Sequence, residues 1–107
     1  MDTTLHAIAD PRRRRILELV AHEELSAGDI ASHFEVSRPA ISQHLGVLKN
    51  AHLLLERREG TRRFYRARPD GLDELRGYLE HFWDHHLDQL KRAAELRERS
   101  VADGADG

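Results

Sequence analysis

Apolar residues recur along this chain at two spacings, and each spacing predicts its element. Ile41, Leu45 and Leu48 fall at i, i+4 and i+7, one face of a helix beginning near Arg38. Ser37 is a capping residue, and Pro39 fits the first turn because the N–H it lacks would find no partner there. Upstream, Ser26 with Asp29 three residues on, and the apolar pair Ile30 and Phe34, predict a shorter helix. Phe34, Glu35 and Val36 make the turn between the two. Beyond the second helix, Leu53, Leu54 and Leu55 lead into Glu56-Arg57-Arg58, Glu59-Gly60-Thr61 turns, and Arg62-Arg63-Phe64-Tyr65-Arg66 returns, which predicts a hairpin over 53–68. Gly60 supplies the positive φ such a turn often needs.

The last third predicts one helix over 70–99. Leu72, Leu75, Leu79, Phe82, His86, Leu90 and Ala94 alternate three- and four-residue steps, and Tyr78, Trp83 and Leu87 widen the stripe. A 107-residue chain with 39% apolar residues makes a thin core, so this long apolar face needs a cover. The same helix of a second copy, with the N-terminal segment from Leu5 to Ala9, supplies one. The expected dimer interface is Leu5, Ile8, Leu75, Leu79, Phe82, Trp83, Leu87 and Leu90. The tail 101–107, ending Asp103-Gly104-Ala105-Asp106-Gly107, is expected to be disordered. The expected fold class is mainly α with a small β-hairpin: a single winged helix-turn-helix domain over 1–100, with the helix-turn-helix at 26–50, the wing at 53–68 and a long C-terminal dimerisation helix at 70–99.

Charge sharpens the picture. The whole chain has net charge −2, but residues 1–36 carry 4 basic and 7 acidic side chains, residues 37–68 carry 8 and 2, and residues 69–107 carry 5 and 10. The basic excess sits on the second helix and the hairpin, the electrostatic mark of a nucleic-acid footprint. Arg57, Arg58, Arg62 and Arg63 bracket the hairpin tip, where mutual repulsion calls for an anionic partner. A phosphate backbone fits; a charge-protected edge hairpin is the plainer alternative.

The second helix leaves Arg38, Pro39, Ser42, Gln43, Gly46 and Lys49 opposite its buried stripe. Arginine pairs with guanine O6 and N7 and glutamine with adenine N6 and N7, so Arg38 and Gln43 are the candidate base readers, with Ser42 beside them and Lys49 a phosphate contact. Gly46 costs about 1 kcal/mol relative to alanine in a helix, which implies a close approach either by DNA or by another helix. A solvated helix surface is the competing account of this face. In the first helical segment Asp10 and Pro11 open a helix with the stripe Ile16, Leu17, Leu19 and Val20, so Arg12 to Arg15 oppose the macrodipole. Phosphate contact or pairing with Glu18 or Asp10 offsets that, and structural pairing is the expectation for most of them.

Four segments together resemble a known family. Ala9-Asp10-Pro11-Arg12-Arg13-Arg14-Arg15-Ile16-Leu17-Glu18-Leu19, Glu24-Leu25-Ser26-Ala27-Gly28-Asp29-Ile30-Ala31, Val36-Ser37-Arg38-Pro39-Ala40-Ile41-Ser42-Gln43-His44-Leu45 with Leu48, and Arg58-Glu59-Gly60-Thr61-Arg62-Arg63-Phe64-Tyr65 look like the ArsR-type bacterial winged-helix repressors. The resemblance covers residues 5 to about 68. It implies a homodimer on double-stranded DNA, an inverted-repeat operator and repression, with Ser37, Arg38, Ser42, Gln43 and the wing arginines facing DNA. His44 lies at a frequent family position, as a phosphate contact or a packed histidine.

Many relatives sense metals through support-helix cysteines, but Ser26, Ala27 and Gly28 supply no thiolate and the chain has no cysteine, which excludes thiolate sensing and thiol redox switching. A second family site needs a histidine after the wing, where this chain reads Pro69-Asp70-Gly71-Leu72. On the terminal helix His81, Asp84, His85 and Asp88 fall at i, i+3, i+4 and i+7, with His86 adjacent and eight histidines in the chain. That face suits nickel or zinc, with a partner copy or His6 completing the shell, or a pH-tuned dimer, or simply solvent. No cofactor is required by any of these features.

No membrane span and no secretory signal is expected, since no run approaches about 20 apolar residues, and the expected location is the cytoplasm, at the nucleoid. An enzyme would need a nucleophile, a base and a pocket, which the pattern does not supply. A winged helix that binds only proteins remains the second class, since fold does not dictate function.

Overall fold

The computed structural model describes the backbone of residues 1–105 and the side chains of residues 1–98. The element order is α1 (Asp2–Ile8), α2 (Pro11–Leu19), β1 (Leu25–Ser26), α3 (Ala27–Ala31), α4 (Arg38–Asn50), β2 (Leu54–Glu59), β3 (Arg62–Ala67), α5 (Pro69–Phe82), a π-helical turn (Trp83–Leu87) and α6 (Asp88–Ala105). The chain divides into two compact units, Met1–Leu75 and the residues from Arg76 on.

The starts of α2, α3 and α4 each have a sequence-local cause. Asp10 accepts from the Arg12 backbone N–H at 2.7 Å, Ser26 Oγ from Asp29 at 3.1 Å and Ser37 Oγ from Ala40 at 3.2 Å, each satisfying an orphan donor of a first turn. At the end of α1 the open carbonyls are met by the arginines of α2. Arg13 Nε donates to Ala7 O at 2.6 Å and its Nη2 to His6 O at 3.0 Å, and Arg14 Nη1 donates to Ile8 O at 2.7 Å. The structural role expected of this run is present, but among the described residues only Arg15 of the four takes a carboxylate, Glu18 at 3.2 Å. Arg13 and Arg14 instead answer the helix-end dipole of α1.

Helix α4 ends in a Schellman motif. The His52 N–H bonds to Lys49 O at 3.0 Å and the Leu53 N–H to Leu48 O at 3.0 Å, while His52 adopts φ 60°. Leu48 and Leu53, the apolar pair that accompanies this motif, are both fully buried. With Ile16, Val20, Ile30 and Ile41 they form the centre of the core, each burial worth about 1.5–3 kcal/mol. The expected α4 stripe of Ile41, Leu45 and Leu48 is the buried one.

The wing belongs to a three-stranded antiparallel sheet of order β1-β3-β2. The short strand β1, which the sequence pattern did not reveal, pairs Leu25 with Tyr65 and Ser26 with Phe64. Glu59 and Arg62 close β2 against β3 around a two-residue turn with Gly60 at φ 61°, the arrangement of a type II′ turn.

Leu75 was expected at a dimer interface, but it is 8% exposed and buried within its own chain. Leu5, Ile8 and Leu87 are half-buried, and Ile8 packs on the core. The predicted uninterrupted helix over 70–99 differs in three ways. It starts at Pro69, it carries the π turn, and it runs through Ala105. An established helix extends at little cost, so Asp103 and Gly104 do not stop it. The expected disordered tail therefore begins as helix, and residues 106–107 lie outside the described residues. Beyond Leu75, the exposed large apolar side chains among the described residues are Tyr78 (37% exposed), Leu79 (47%), Phe82 (37%), Trp83 (61%), Leu90 (62%) and Leu96 (60%). No helix among the described residues is long and apolar enough to cross a membrane.

Candidate nucleic-acid interface

Helix α4 exposes the side predicted from its periodicity. Ser37, Arg38, Pro39, Ser42, Gln43 and Lys49 are exposed, and His44 is half-buried. Space beside Gly46 is open, with nothing within 4 Å of where a Cβ would sit. Packing against another helix of the same chain is thus not what the glycine serves. The charge of His44 acts on Asp10: burial raises the Asp10 carboxyl, but the backbone N–H groups of Arg12 and Arg13, with His44, hold it below the ordinary carboxylate range.

Between the start of α3, the exposed side of α4 and the wing lies a groove of about 630 Å³. Arg38, Ser42, Gly46, Lys49, Arg62 and Arg63 line it, together with the acidic Asp29 and Glu56. The Arg38 guanidinium lies beside Gly28, 3.8 Å from the position a Cβ would take there. Lys49 reaches Glu56 at 3.4 Å, and Glu56 also accepts from the Tyr65 hydroxyl at 2.9 Å. Burial raises the Glu56 carboxyl, yet Tyr65, Lys49 and the Arg63 charge leave it below its usual value. Burial and the same hydrogen bond push the Tyr65 hydroxyl up.

Strand alternation splits the four wing arginines into two pairs. Register places Leu54, Glu56 and Arg58 opposite Ala67, Tyr65 and Arg63, and Leu55, Arg57 and Glu59 opposite Arg66, Phe64 and Arg62. Side chains alternate along a strand, so Arg58 and Arg63 share the sheet face that carries Tyr65 and Glu56, while Arg57 and Arg62 share the other. Arg58 stands directly across from Arg63, a repulsive cross-strand pair, and neither forms an ion pair among the described residues. Arg57 differs from the other three. Its Nη2 meets Glu24 at 2.6 Å and its Nη1 meets Glu59 at 2.9 Å, while its guanidinium carbon lies 4.6 Å from the Phe64 ring centre. The hydrogen bond from Arg57 holds the Glu24 carboxyl below its usual range, and Glu24 and then Glu59 push the Arg57 guanidinium further up. Its donors are thus taken by carboxylates. Arg62 also lies over Phe64, at 5.0 Å, and has no carboxylate partner among the described residues. The sequence pattern also passed over Glu24, Glu56 and the exposed Arg66. Strand alternation would have separated the arginine pairs, but nothing local marks Glu24.

The four expected metal ligands are not gathered. Among the described residues no three His, Asp or Glu side chains are placed to hold a metal ion. His81 and His85 stack at 4.3 Å, His86 lies 5.0 Å from Phe82, and Asp88 pairs with Arg92 at 3.4 Å. The π turn, whose hydrogen bonds span i to i+5, takes an extra residue per turn and so rotates Asp88 away from the i, i+7 position that a uniform α-helix would give it.

A capped helix exposing polar and basic side chains at its N-terminus, preceded by a short support helix and flanked by an arginine hairpin, defines a winged helix-turn-helix regulator that binds DNA. Comparison with known proteins agrees. The family model for bacterial regulatory proteins of the arsR family matches residues 10–54. The chain is 49% identical over 86 residues to the HTH-type transcriptional regulator Rv2034 of Mycobacterium tuberculosis, covering 80% of each chain. It is 38% identical over 82 residues to the transcriptional repressor SdpR of Bacillus subtilis, covering 77% of this chain and 91% of that one. Among solved structures, it is similar to the homodimeric winged helix-turn-helix DNA-binding domain Mb0332 of Mycobacterium bovis, a possible ArsR-family transcriptional regulator (TM-score 0.63, 32% identity, 80% of each chain). The chain belongs to the arsR family of bacterial regulatory proteins, and it is a transcriptional regulator rather than an enzyme.

Proposed function

We propose that two copies of this chain form a symmetric dimer that binds an inverted-repeat operator and represses transcription by occluding a promoter. The observation that carries this is Arg58 opposite Arg63, two exposed cations face to face with neither in an ion pair among the described residues, a repulsion that an external anion relieves. Arg58, Arg62 and Arg63 neutralise phosphates. Arg38, Ser42 and Gln43 meet base edges, Ser37 and Pro39 set the start of the reading helix against the backbone, and Lys49 reaches phosphate by leaving Glu56.

The exposed side chains Leu79, Phe82, Trp83 and Leu90 cover one another across the dimer, with Leu5 and Ile8 at its margin. The homodimeric Mycobacterium bovis domain supports this assembly, and the Bacillus subtilis repressor supports repression as the output. A two-fold dimer sets its reading helices in successive major grooves, ~34 Å apart.

The test is a titration of the purified protein against its own upstream promoter fragment and a scrambled duplex, at two salt concentrations, with and without nickel or zinc. Preferential, salt-dependent binding to the promoter is expected. Equal affinity for both duplexes would overturn the operator reading, and absence of binding at low salt would leave a protein-interaction module. A change on adding metal would make the regulator metal-responsive.

A further inference from the structure

Arg57 lies on β2, an outer strand of the sheet, yet its carboxylate partner Glu24 immediately precedes β1, the strand on the other side of β3. To join them the arginine crosses β3, its guanidinium carbon 4.6 Å from the ring centre of Phe64, the residue paired with both Arg57 and Ser26. On Glu24 the contact is two-pronged, with Nε at 3.1 and 3.2 Å from the two carboxylate oxygens and Nη2 at 2.6 Å; Nη1 is occupied by Glu59 at 2.9 Å. Such a planar fork is matched to a carboxylate as a lysine is not. Glu24 leads through Leu25 and Ser26 straight into α3. One end of this bridge is therefore in the wing and the other at the entrance to the helix-turn-helix.

We propose that the Glu24–Arg57 bridge across Phe64 is a strap that sets the wing relative to the reading helix, making both residues positioning residues for DNA binding rather than DNA contacts. The inference rests on the proposed DNA-binding role. Positioning a wing correctly stabilises every phosphate contact that the wing makes, so an acidic residue far from the DNA raises affinity for an anion. That is the opposite of what its charge alone would do.

The opposed signs supply the test. Glu24→Gln removes a negative charge, so an Arg57 that contacts phosphate would be freed and the variant would bind operator more tightly. The strap predicts weaker binding, on the order of fivefold, the size of coupling seen within one hydrogen-bonded network. Arg57→Gln and Arg57→Lys should weaken binding similarly without altering the salt slope, whereas Arg63→Ala should lower that slope by about one. The double variant Glu24→Gln/Arg57→Gln should bind no worse than either single one. In the free protein, amide hydrogen exchange at the wing tip should quicken in both single variants while the melting transition stays cooperative.

Tighter binding by Glu24→Gln, or a slope about one unit lower in Arg57→Gln, would overturn the strap. If the wild-type protein binds no DNA at all, the proposed function fails instead. The exchange measurement then still decides the strap, since unchanged wing protection in both variants would overturn it.

Discussion

Gly71, in the first turn of α5, lies against the carbonyl of His52, so that a Cβ at position 71 would fall 3.0 Å from the carbonyl carbon and well inside contact distance of its oxygen. Both sides of this contact are backbone, and His52 is itself held at φ 60° by the end of α4. Neither can swing aside as a flexible side chain would. Gly71→Ala should therefore destabilise the protein by about 1–3 kcal/mol, the range for overpacking. A thermal or urea melt checks it, and an unchanged midpoint would mean that α5 starts farther from the α4 turn.

His52 itself gives the opposite expectation. It occupies the left-handed position of a Schellman motif, where glycine is usual and other residues are strained. The side chain is exposed, so His52→Gly removes strain without opening the core. A gain of about 0.5–1 kcal/mol is expected, after the entropy that glycine brings to the unfolded chain. A loss in the same melt would contradict it.

The split of the exposed basic and polar residues predicts two kinds of binding defect. Gln43→Ala should cost about 1–3 kcal/mol on the operator and much less on random DNA, because a lost base contact removes discrimination. Arg63→Ala should weaken both duplexes alike and flatten the salt dependence. Competition titrations against both duplexes at several salt concentrations separate the two, and equal losses for Gln43→Ala would remove it from the reading set.

The apolar side chains beyond residue 75 and Leu75 itself should behave differently. Trp83→Ala or Leu90→Ala should weaken self-association by about 2 kcal/mol, or roughly 30-fold, while leaving the fold of the protomer intact. Leu75→Ala removes a buried side chain and should cost about 2–5 kcal/mol of folding stability. Sedimentation equilibrium and melting together distinguish them. A dimer indifferent to Trp83 and Leu90 would place its interface elsewhere.

Acid should loosen the protein at identifiable points. The Asp10, Glu24, Glu56 and Asp70 carboxyls all lie below their ordinary values, 3.8 for the aspartates and 4.5 for the glutamates. A depressed carboxyl contributes stability that is fully present above its ordinary value and is lost as pH falls through its lower folded value. These four groups should therefore add no pH dependence above 4.5 and a progressive loss below it. Glu56→Gln should shallow that loss in melts taken as a function of pH, and an identical acid profile would show that Glu56 is not paired in solution.

Features that depend on near neighbours were legible in the chain alone. The capping hydroxyls of Ser26 and Ser37, the stripe of Ile41, Leu45 and Leu48, and the turn glycine Gly60 act over distances of a few residues, where periodicity and backbone preference dominate. With the concentration of positive charge they define a winged helix-turn-helix for DNA. Tertiary structure alone decided what joins residues remote in sequence. It paired β1 with β3, gave the carbonyls of α1 to Arg13 and Arg14, drew Leu75 into its own protomer and turned Asp88 off the histidine face. Most consequentially, it set Arg57 on Glu24, 33 residues away, and left Arg58 and Arg63 facing each other. Four arginines that look equivalent along the chain thus acquire different surroundings, because a strand's two faces meet different neighbours and the fold brings carboxylates within reach of Arg57.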